Sequence, residues 1–540
     1  MNRKLFFIVL IGIVNLNAQG VSLDMKIVAS DRGAVDNFGW SIDIDGDYVV
    51  VGAPFKDENV SGGGVMQDSG AVYIFENNGL GNWNEIQKII ASDSELEDQF
   101  GSVVAISGNY VVVGAPFENE DENGNNTLGD AGAVYMYEID VNGVWNEVQK
   151  IVASDRAEND YFGYSVAMDG SFMIVGAFFE DEDETGNATL SAAGSVYVFK
   201  KDVNGVWNES QKIVASDRES FNWFGEKVSI SGDYLVIAAK EESDDAQGNN
   251  RMGEAGAAYV FQKNVSDEWF EVQKITASDR STFANFGTDV DIDGNYIAVG
   301  AILEGEDTSG ANTLQEAGAA YIFEKNGSGT WLEVNKLVPS DRNIGDEFGI
   351  SVAIHGDRVI IGANREDEDE EGNNTLNSSG SAYIFERNIS GSWNEIEKVV
   401  AFDRGNVDNF GFDVALSEEY IFVAANWENE DANGGNSLNN SGSVYIANKS
   451  PLLNVSDVSN SDNYFSVFPN PVEELFTIDF QNIQEEVVVT IYNALGQEQR
   501  VFKYQEVERI DEHFDGAQGI YFIKIENEEG SSVTKRFIKM

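Results

Sequence analysis

The chain has 540 residues, more than one ordinary core supports, and its formal net charge of −59 excludes a surface that holds nucleic acid or anionic lipid. Hydrophobic residues make up 42%, with 33 Phe and 19 Tyr, which is ample for burial and excludes a disordered acidic chain. There is no cysteine, so disulfides, thiolate metal sites and cysteine nucleophiles are excluded too.

Residues 1–18 read as a secretory signal peptide: Arg3 and Lys4, an apolar run from Leu5 to Val14, then Leu16-Asn17-Ala18. The run is too short for a membrane anchor, and no later apolar run is long enough to span a bilayer. From Val21 the chain repeats. Phe38, Phe100, Phe162, Phe224, Phe286, Phe348 and Phe410 recur every 62 residues, each followed by Gly. Trp83, Trp145, Trp207, Trp269, Trp331 and Trp393 keep the same step. A fixed period of this size marks a repeat architecture.

Each unit reads as four short strands. In the second copy these are GSVVAIS (101–107), YVVVGAP (110–116), AVYMYEI (133–139) and WNEVQKIVASD (145–155). The first strand alternates, with Ile42 and Ile44 and their counterparts apolar in every copy, as a half-buried strand does. The second is apolar throughout and should lie between blades. A tight turn such as Asp45-Gly46-Asp47 joins them, Gly supplying a positive φ. Residues 21–30 are in phase with 83–92, a fourth strand with no first three before it. The seventh unit lacks that strand, so the N-terminal one is expected to complete it and close a ring. The expected fold is all-β: a seven-bladed β-propeller of 62-residue repeats over 21–449, then a linker (450–463) and a small C-terminal β-sandwich (464–540).

Phe-Gly, an alternating strand, Gly-Ala-Pro (Gly52–Pro54, Gly114–Pro116) and Gly-Ala-Val-Tyr (Gly70–Tyr73) together resemble the FG-GAP repeat family, as in integrin alpha-subunit propellers. The resemblance implies a propeller used for binding at the cell exterior. Gly176-Ala177-Phe178, Ala238-Ala239-Lys240 and Ala424-Ala425-Asn426 depart from the Gly-Ala-Pro element. The hairpin in which integrin blades carry calcium is trimmed here, so those ligands do not transfer.

A long acidic stretch follows the second strand. It carries Asn119, Asp121, Asn123 and Asp130 in the second unit, and Asp181, Asp183 and Thr185 in the third. The fourth has Asp245 and Glu254, the sixth Asp367, Asp369 and Glu371, and the seventh Asp431. Oxygen side chains at alternate positions followed by Gly are what a calcium loop needs, so Ca2+ is the expected ion. The competing reading is a set of solvated loops, with Arg32, Arg156, Arg218, Arg280, Arg342 and Arg404 of the inter-blade SDR turns offsetting their charge on the same face.

Aromatics break the repeat. Trp427, Phe55, Phe117 and Phe179 open the acidic stretch in four consecutive blades of a closed ring, and Trp40, Tyr161, Tyr164 and Trp223 occupy the inter-blade turns. Trp40, Phe55, Phe117, Tyr164, Phe179 and Trp427 are therefore candidate ligand contacts, either stacking on sugar rings or anchoring a protein. The competing reading is that each ring pins its own loop.

His355 and His513 read as surface residues, and near-identical repeats offer carboxylates no unlike environments, so no enzyme is expected. The chain is read as a binding propeller with an extracellular glycan or protein as partner. A carboxylate-dependent glycosidase acting on polysaccharide and a structural or adhesive coat component are the alternatives.

The last stretch differs in composition. Phe468-Pro469-Asn470-Pro471, Tyr492-Asn493-Ala494-Leu495-Gly496, Gly519-Ile520-Tyr521 and the basic Lys535-Arg536-Phe537-Ile538-Lys539 resemble the type A C-terminal sorting domain of type IX secretion. That resemblance implies engagement of the type IX machinery and a secreted or outer-surface location in a Gram-negative bacterium.

Overall fold

The computed structural model describes residues 23–57, 66–79, 81–187, 189–370, 372–448, 465–468, 475–493, 498–514, 519–527 and 532–539. The expected signal peptide, the linker and Glu371 lie outside them. The chain divides into two units, Met1–Ser450 and Pro451–Met540, and the described residues of both form strands and turns without helix.

In the first unit, β1 (Leu23–Ile27) precedes a blade made of β2 (Ile42–Asp45), β3 (Tyr48–Ala53), β4 (Ala71–Asn77) and β5 (Trp83–Ile89), paired antiparallel in that order. Strands β6 to β25, within residues 103–399, repeat this sheet five times. The seventh blade has β26 (Phe410–Leu416), β27 (Tyr420–Ala425) and β28 (Ser443–Asn448), and β1 supplies its outer strand. The seam register pairs Met25 with Ile446, Lys26 with Tyr445 and Ile27 with Val444. First strands of successive blades touch around the ring, and β26 returns to β2. Seven four-stranded sheets thus close a propeller.

The sequence dictates this locally. Gly46, at φ 58°, makes the two-residue turn that lets Asp45 face Tyr48. Val49, Val50 and Val51 are fully buried, and the hydrophobic clusters join residues of adjacent blades: Val72 and Ile74 of the first blade pack with Phe100 and Val113 of the second. In the first six blades the Phe of the Phe-Gly pair meets two aromatics edge-on, as Phe100 does Tyr135 at 5.4 Å and Tyr137 at 6.1 Å. The glycines serve close approach: a Cβ at Gly52 would lie 2.1 Å from the carbonyl oxygen of Gly101 in the next blade.

Polar residues of the repeat tie blade to blade. On the outer strands, Gln87 accepts the amide of Trp145 at 2.9 Å and donates to its carbonyl at 2.7 Å. Glu147 receives the amide and hydroxyl of Ser92 at 3.0 and 2.6 Å. The innermost strands are sheet edges with spare amides, and the preceding blade satisfies them. Asp43 accepts from the amide of Ile106 at 2.7 Å, Asp291 from Ile354 at 2.8 Å and, across the seam, Asp413 from Ile42 at 2.7 Å.

The second unit is one sheet of β29 (Phe465–Phe468), β30 (Leu475–Asn493), β31 (Glu498–His513), β32 (Gly519–Asn527) and β33 (Ser532–Lys539), ordered β29-β30-β32-β33 with β31 on β30. β30 pairs with β31 on both sides of an irregularity between Asp479 and Gln484. Buried residues there change from even positions (Phe476, Ile478, Phe480) to odd ones (Val487, Val489, Ile491), and all join one core with Ile510, Ile523 and Ile525.

Candidate binding face

The acidic loops of the second to seventh blades are each organised around one aspartate. Asp121 Oδ1 accepts the amides of Asn123 and Asn125, both at 2.9 Å, while Oδ2 accepts the side-chain amide of Asn126. Asp183 accepts the amide and hydroxyl of Thr185 at 2.8 and 2.7 Å, and Asp245 and Asp431 each accept two amides and one Asn side chain. Asp369 accepts the amide of Asn373 at 2.8 Å and the side chain of Asn374. The amides hold the carboxyls of Asp121, Asp245 and Asp431 below their usual range. In six of the loops a residue near the start braces the base. Asn119 accepts the amide of Asp130 at 2.9 Å, Asp181 that of Ala192 and Asp367 that of Ser378 at 2.7 Å each, and Ser243 that of Glu254 at 3.3 Å. Asp130 and Glu254, both at φ 53°, thus join the loop through their backbone. Asn123 donates its side chain to Glu122. A calcium ion at these aspartates would have to displace their N–H and O–H donors.

The SDR turns lie on the same face. Arg156 donates to the carbonyls of Asn119 and Asn126 at 2.8 and 3.2 Å, and Arg32 reaches those of Asn429 and Asn436 across the seam at 2.6 and 3.1 Å. Beneath each loop sits a buried ion cluster. Lys150 spans Asp93 at 2.7 Å and Glu118 at 3.3 Å, and the Tyr135 hydroxyl donates toward the same two carboxylates. Lys26, on β1, spans Asp403 at 2.9 Å and Glu428 at 3.4 Å in the seventh blade. In the fifth, Asp279, Glu304 and Glu306 bring carboxylate oxygens within 4.8 Å of one another, with the Lys336 ammonium 2.7 Å from Asp279.

The expected aromatic arc is assembled in two pieces. Trp40 meets Phe55 at 5.3 Å and Phe412 at 5.0 Å beside the seam. Over the second to fourth blades, Phe117, Tyr161, Tyr164, Phe178, Phe179 and Trp223 form a connected strip. Phe117 and Phe179 both meet Tyr161 edge-on at 5.4 Å, Phe178 lies 4.3 Å from Tyr164, and Phe179 lies 5.7 Å from Trp223. Tyr164 is 37% exposed and Phe178 buried, so the strip is open to solvent at Tyr164 and half-buried at its other four rings. Trp427 is 37% exposed too, and among the described residues no ring contact joins it to either piece. Lys240 ends the strip, 2.5 Å from Glu226 and 5.4 Å above the Trp223 ring. Reading the loop starts alone misses Phe178 and Lys240. Their signal was available, because both stand where the Gly-Ala-Pro element loses its proline.

The FG-GAP repeat matches residues 21–75, 83–137, 145–199, 207–261, 269–323, 331–385 and 393–447. The chain belongs to the FG-GAP repeat family. Each FG-GAP match opens in the outer strand of one blade and ends in the third strand of the next, so the family unit straddles the blade boundary. Integrin alpha-6 of Gallus gallus is 28% identical over 160 residues, which is 27% of this FG-GAP chain and 13% of the relative's length. Residues 466–540 match the secretion system C-terminal sorting domain, which directs export to the cell surface or beyond through the type IX machinery. No helix among the described residues is long and apolar enough to cross a membrane.

Proposed function

We propose that the chain is an exported adhesion-type protein of a Gram-negative bacterium. It holds an extracellular glycan or protein on the aromatic strip and breaks no bond in it. The observation that supports this reading is the departure of one arc from seven-fold repetition. Six rings touch across three blades, while the loop starts of the fifth and sixth blades offer Leu303 and Arg365. Binding energy concentrates in a few aromatic anchors. Calcium belongs to this proposal as an added stabiliser of the acidic loops rather than as a contact to the partner.

A soluble-glycan array and a capture assay with extracellular proteins, both on the intact chain, test it. Phe117→Ala and Phe179→Ala should each weaken partner binding by about 1–3 kcal/mol, and Leu303→Ala and Arg365→Ala should leave it unchanged. Equal small losses at all four would mean that the rings only pin their loops. Release of cleaved glycan would favour a polysaccharide-acting enzyme, and silence in both assays a coat component.

A further inference from the structure

Each inter-blade turn meets the side chain two residues past the Gly-Ala-Pro position of the adjoining loop, a glutamate in six blades and Lys56 in the first, and the repeats fill that contact in different ways. In the first blade the loop residue is Lys56, whose ammonium donates to Asp36 at 3.0 Å. In the fourth the turn residue is Asn222, whose amide donates to Glu242. In the fifth the turn has Ala284, and the Ser281 hydroxyl three residues earlier donates to Glu304 at 2.8 Å. Three blades, three chemistries, and in each an N–H or O–H lies at the carboxylate.

The other four blades place a second carboxyl there. Asp98 lies beside Glu118, Asp160 beside Glu180, Asp346 beside Glu366 and Asp408 beside Glu428, and none of the eight is more than 4% exposed. Asp98 Oδ2 accepts the amide of Glu95 at 2.5 Å, and Asp408 Oδ2 that of Gly405 at 2.5 Å. The Oδ1 of each is buried with no donor. Two bare carboxylates in contact away from water are strongly disfavoured. We propose that in these four blades the missing donor is a proton, carried by the aspartate and shared with the glutamate, so that the turns clasp the loops through carboxyl–carboxylate hydrogen bonds that open as pH rises.

The surroundings agree. Asp98 is faced by Glu118 and Glu120 of the loop, Asp93 and Glu95 of its own turn, Lys150 of the outer strand and Tyr135 of the third. Asp408 is faced by Glu428 and Glu430, with Asp403, Lys26 and Tyr445 beside them. The lysine of each cluster is already held between two other carboxylates. Burial first, and then the glutamate's charge, push Asp98, Asp160 and Asp408 up to about 8, and Asp346 up to about 7. A carboxyl raised in the folded state contributes stability that is complete below the ordinary carboxylate range. That stability is lost as pH rises through the raised value. A proton fits the gap better than a metal ion does, because a single N–H or O–H serves at the same place in the other three blades and an ammonium already lies alongside.

The test is thermal unfolding of the full chain from about pH 6 to about pH 9 at fixed ionic strength. Wild type is expected to melt progressively lower across that range. A variant carrying Asp98→Asn, Asp160→Asn, Asp346→Asn and Asp408→Asn adopts the fourth blade's solution, so its melting temperature should fall less steeply than that of wild type and lie above it at the alkaline end. Asp43, Glu182, Glu241, Glu368, Asp413 and Glu430, which burial and neighbouring carboxylates push up to about 7, remain in both proteins, so the difference between the two slopes reports the four aspartates. Parallel slopes for the two proteins, or a flat wild-type profile, would overturn the proposal. Should the fourfold variant not fold, Asp98→Asn alone is expected to make the fall shallower, and an unchanged slope would overturn the proposal. Infrared difference spectra of wild type give a second reading. A protonated-carboxyl band that is present at the acidic end, gone at the alkaline end and weaker in the fourfold variant supports the proton, and a band of equal strength in the two proteins, or none in either, refutes it. Calcium chloride that raises the alkaline melting temperature of wild type but not of the fourfold variant would place a cation in the gap instead.

Discussion

The second and seventh blades carry the same buried cluster, but they are joined to the chain in opposite ways. In the second, Lys150 and the carboxylates it binds lie within one continuous stretch. In the seventh, Lys26 meets Asp403 across 377 residues of sequence. The geometry barely registers the difference. Tyr135 donates to Asp93 at 2.8 Å and Tyr445 to Asp403 at 2.6 Å, and Arg32 grips the seventh loop as Arg156 grips the second. Side-chain contacts therefore define a blade here, and chain continuity does not. What continuity changes is the penalty for losing a strand: an ordinary blade keeps its strands tethered, whereas the seam can let one go.

Deleting residues 21–30 should break this equivalence most severely. The edge of β28 becomes exposed, and Asp403 and Glu428 lose their ammonium. Aggregation and loss of a single cooperative unfolding transition are expected by calorimetry and light scattering. A shortened chain that stays monomeric and melts like the parent would show that the seam contributes little.

Lys26→Met and Lys150→Met sharpen the comparison. Each removes the cation from a buried cluster, a loss of about 3–5 kcal/mol. Denaturant unfolding should give similar losses for the two, while the seam variant alone should open its edge to proteolysis before global unfolding. A much smaller loss at Lys26 would mean that the closing strand is held by its backbone register rather than by the cluster.

Calcium should have the smallest effect and treat both blades alike, because Asp121 and Asp431 hold the same kinds of donor. A rise in Tm of only a few degrees over a magnesium control is expected, reduced by Asp121→Asn and Asp431→Asn alike. A rise beyond roughly 10 °C would make the ion a main support of the fold.

Most of the architecture was legible because it is periodic. Strand order, the Gly46 turn and the unfinished seventh blade follow from phase alone. The site was less legible, since one local pattern serves two chemistries. An aspartate followed by polar residues and Gly suits a calcium loop and equally an Asx turn, and at Asp121 the oxygens face amides. Ring partners were hidden because Phe117 and Tyr161 meet only after neighbouring blades dock. The pairing of Asp98 with Glu118 was hidden for the same reason, as it joins a turn to the loop beyond two intervening strands.

The seam also orders events in time. β1 is the first strand of the propeller to emerge and the last to find its place, because β28 must exist before it can pair. At about 5–20 residues per second, the span from Lys26 to Asp403 alone takes on the order of 20–75 s. Through that interval Met25 and Ile27 have no sheet to join, and no earlier repeat can take them without displacing its own Trp-bearing strand. The ring can therefore latch only after the seventh repeat has arrived, immediately before the sorting domain follows it. A repeat array cut short by even one strand would carry an unlatched ring, which makes the closing strand sensitive to the length of the array.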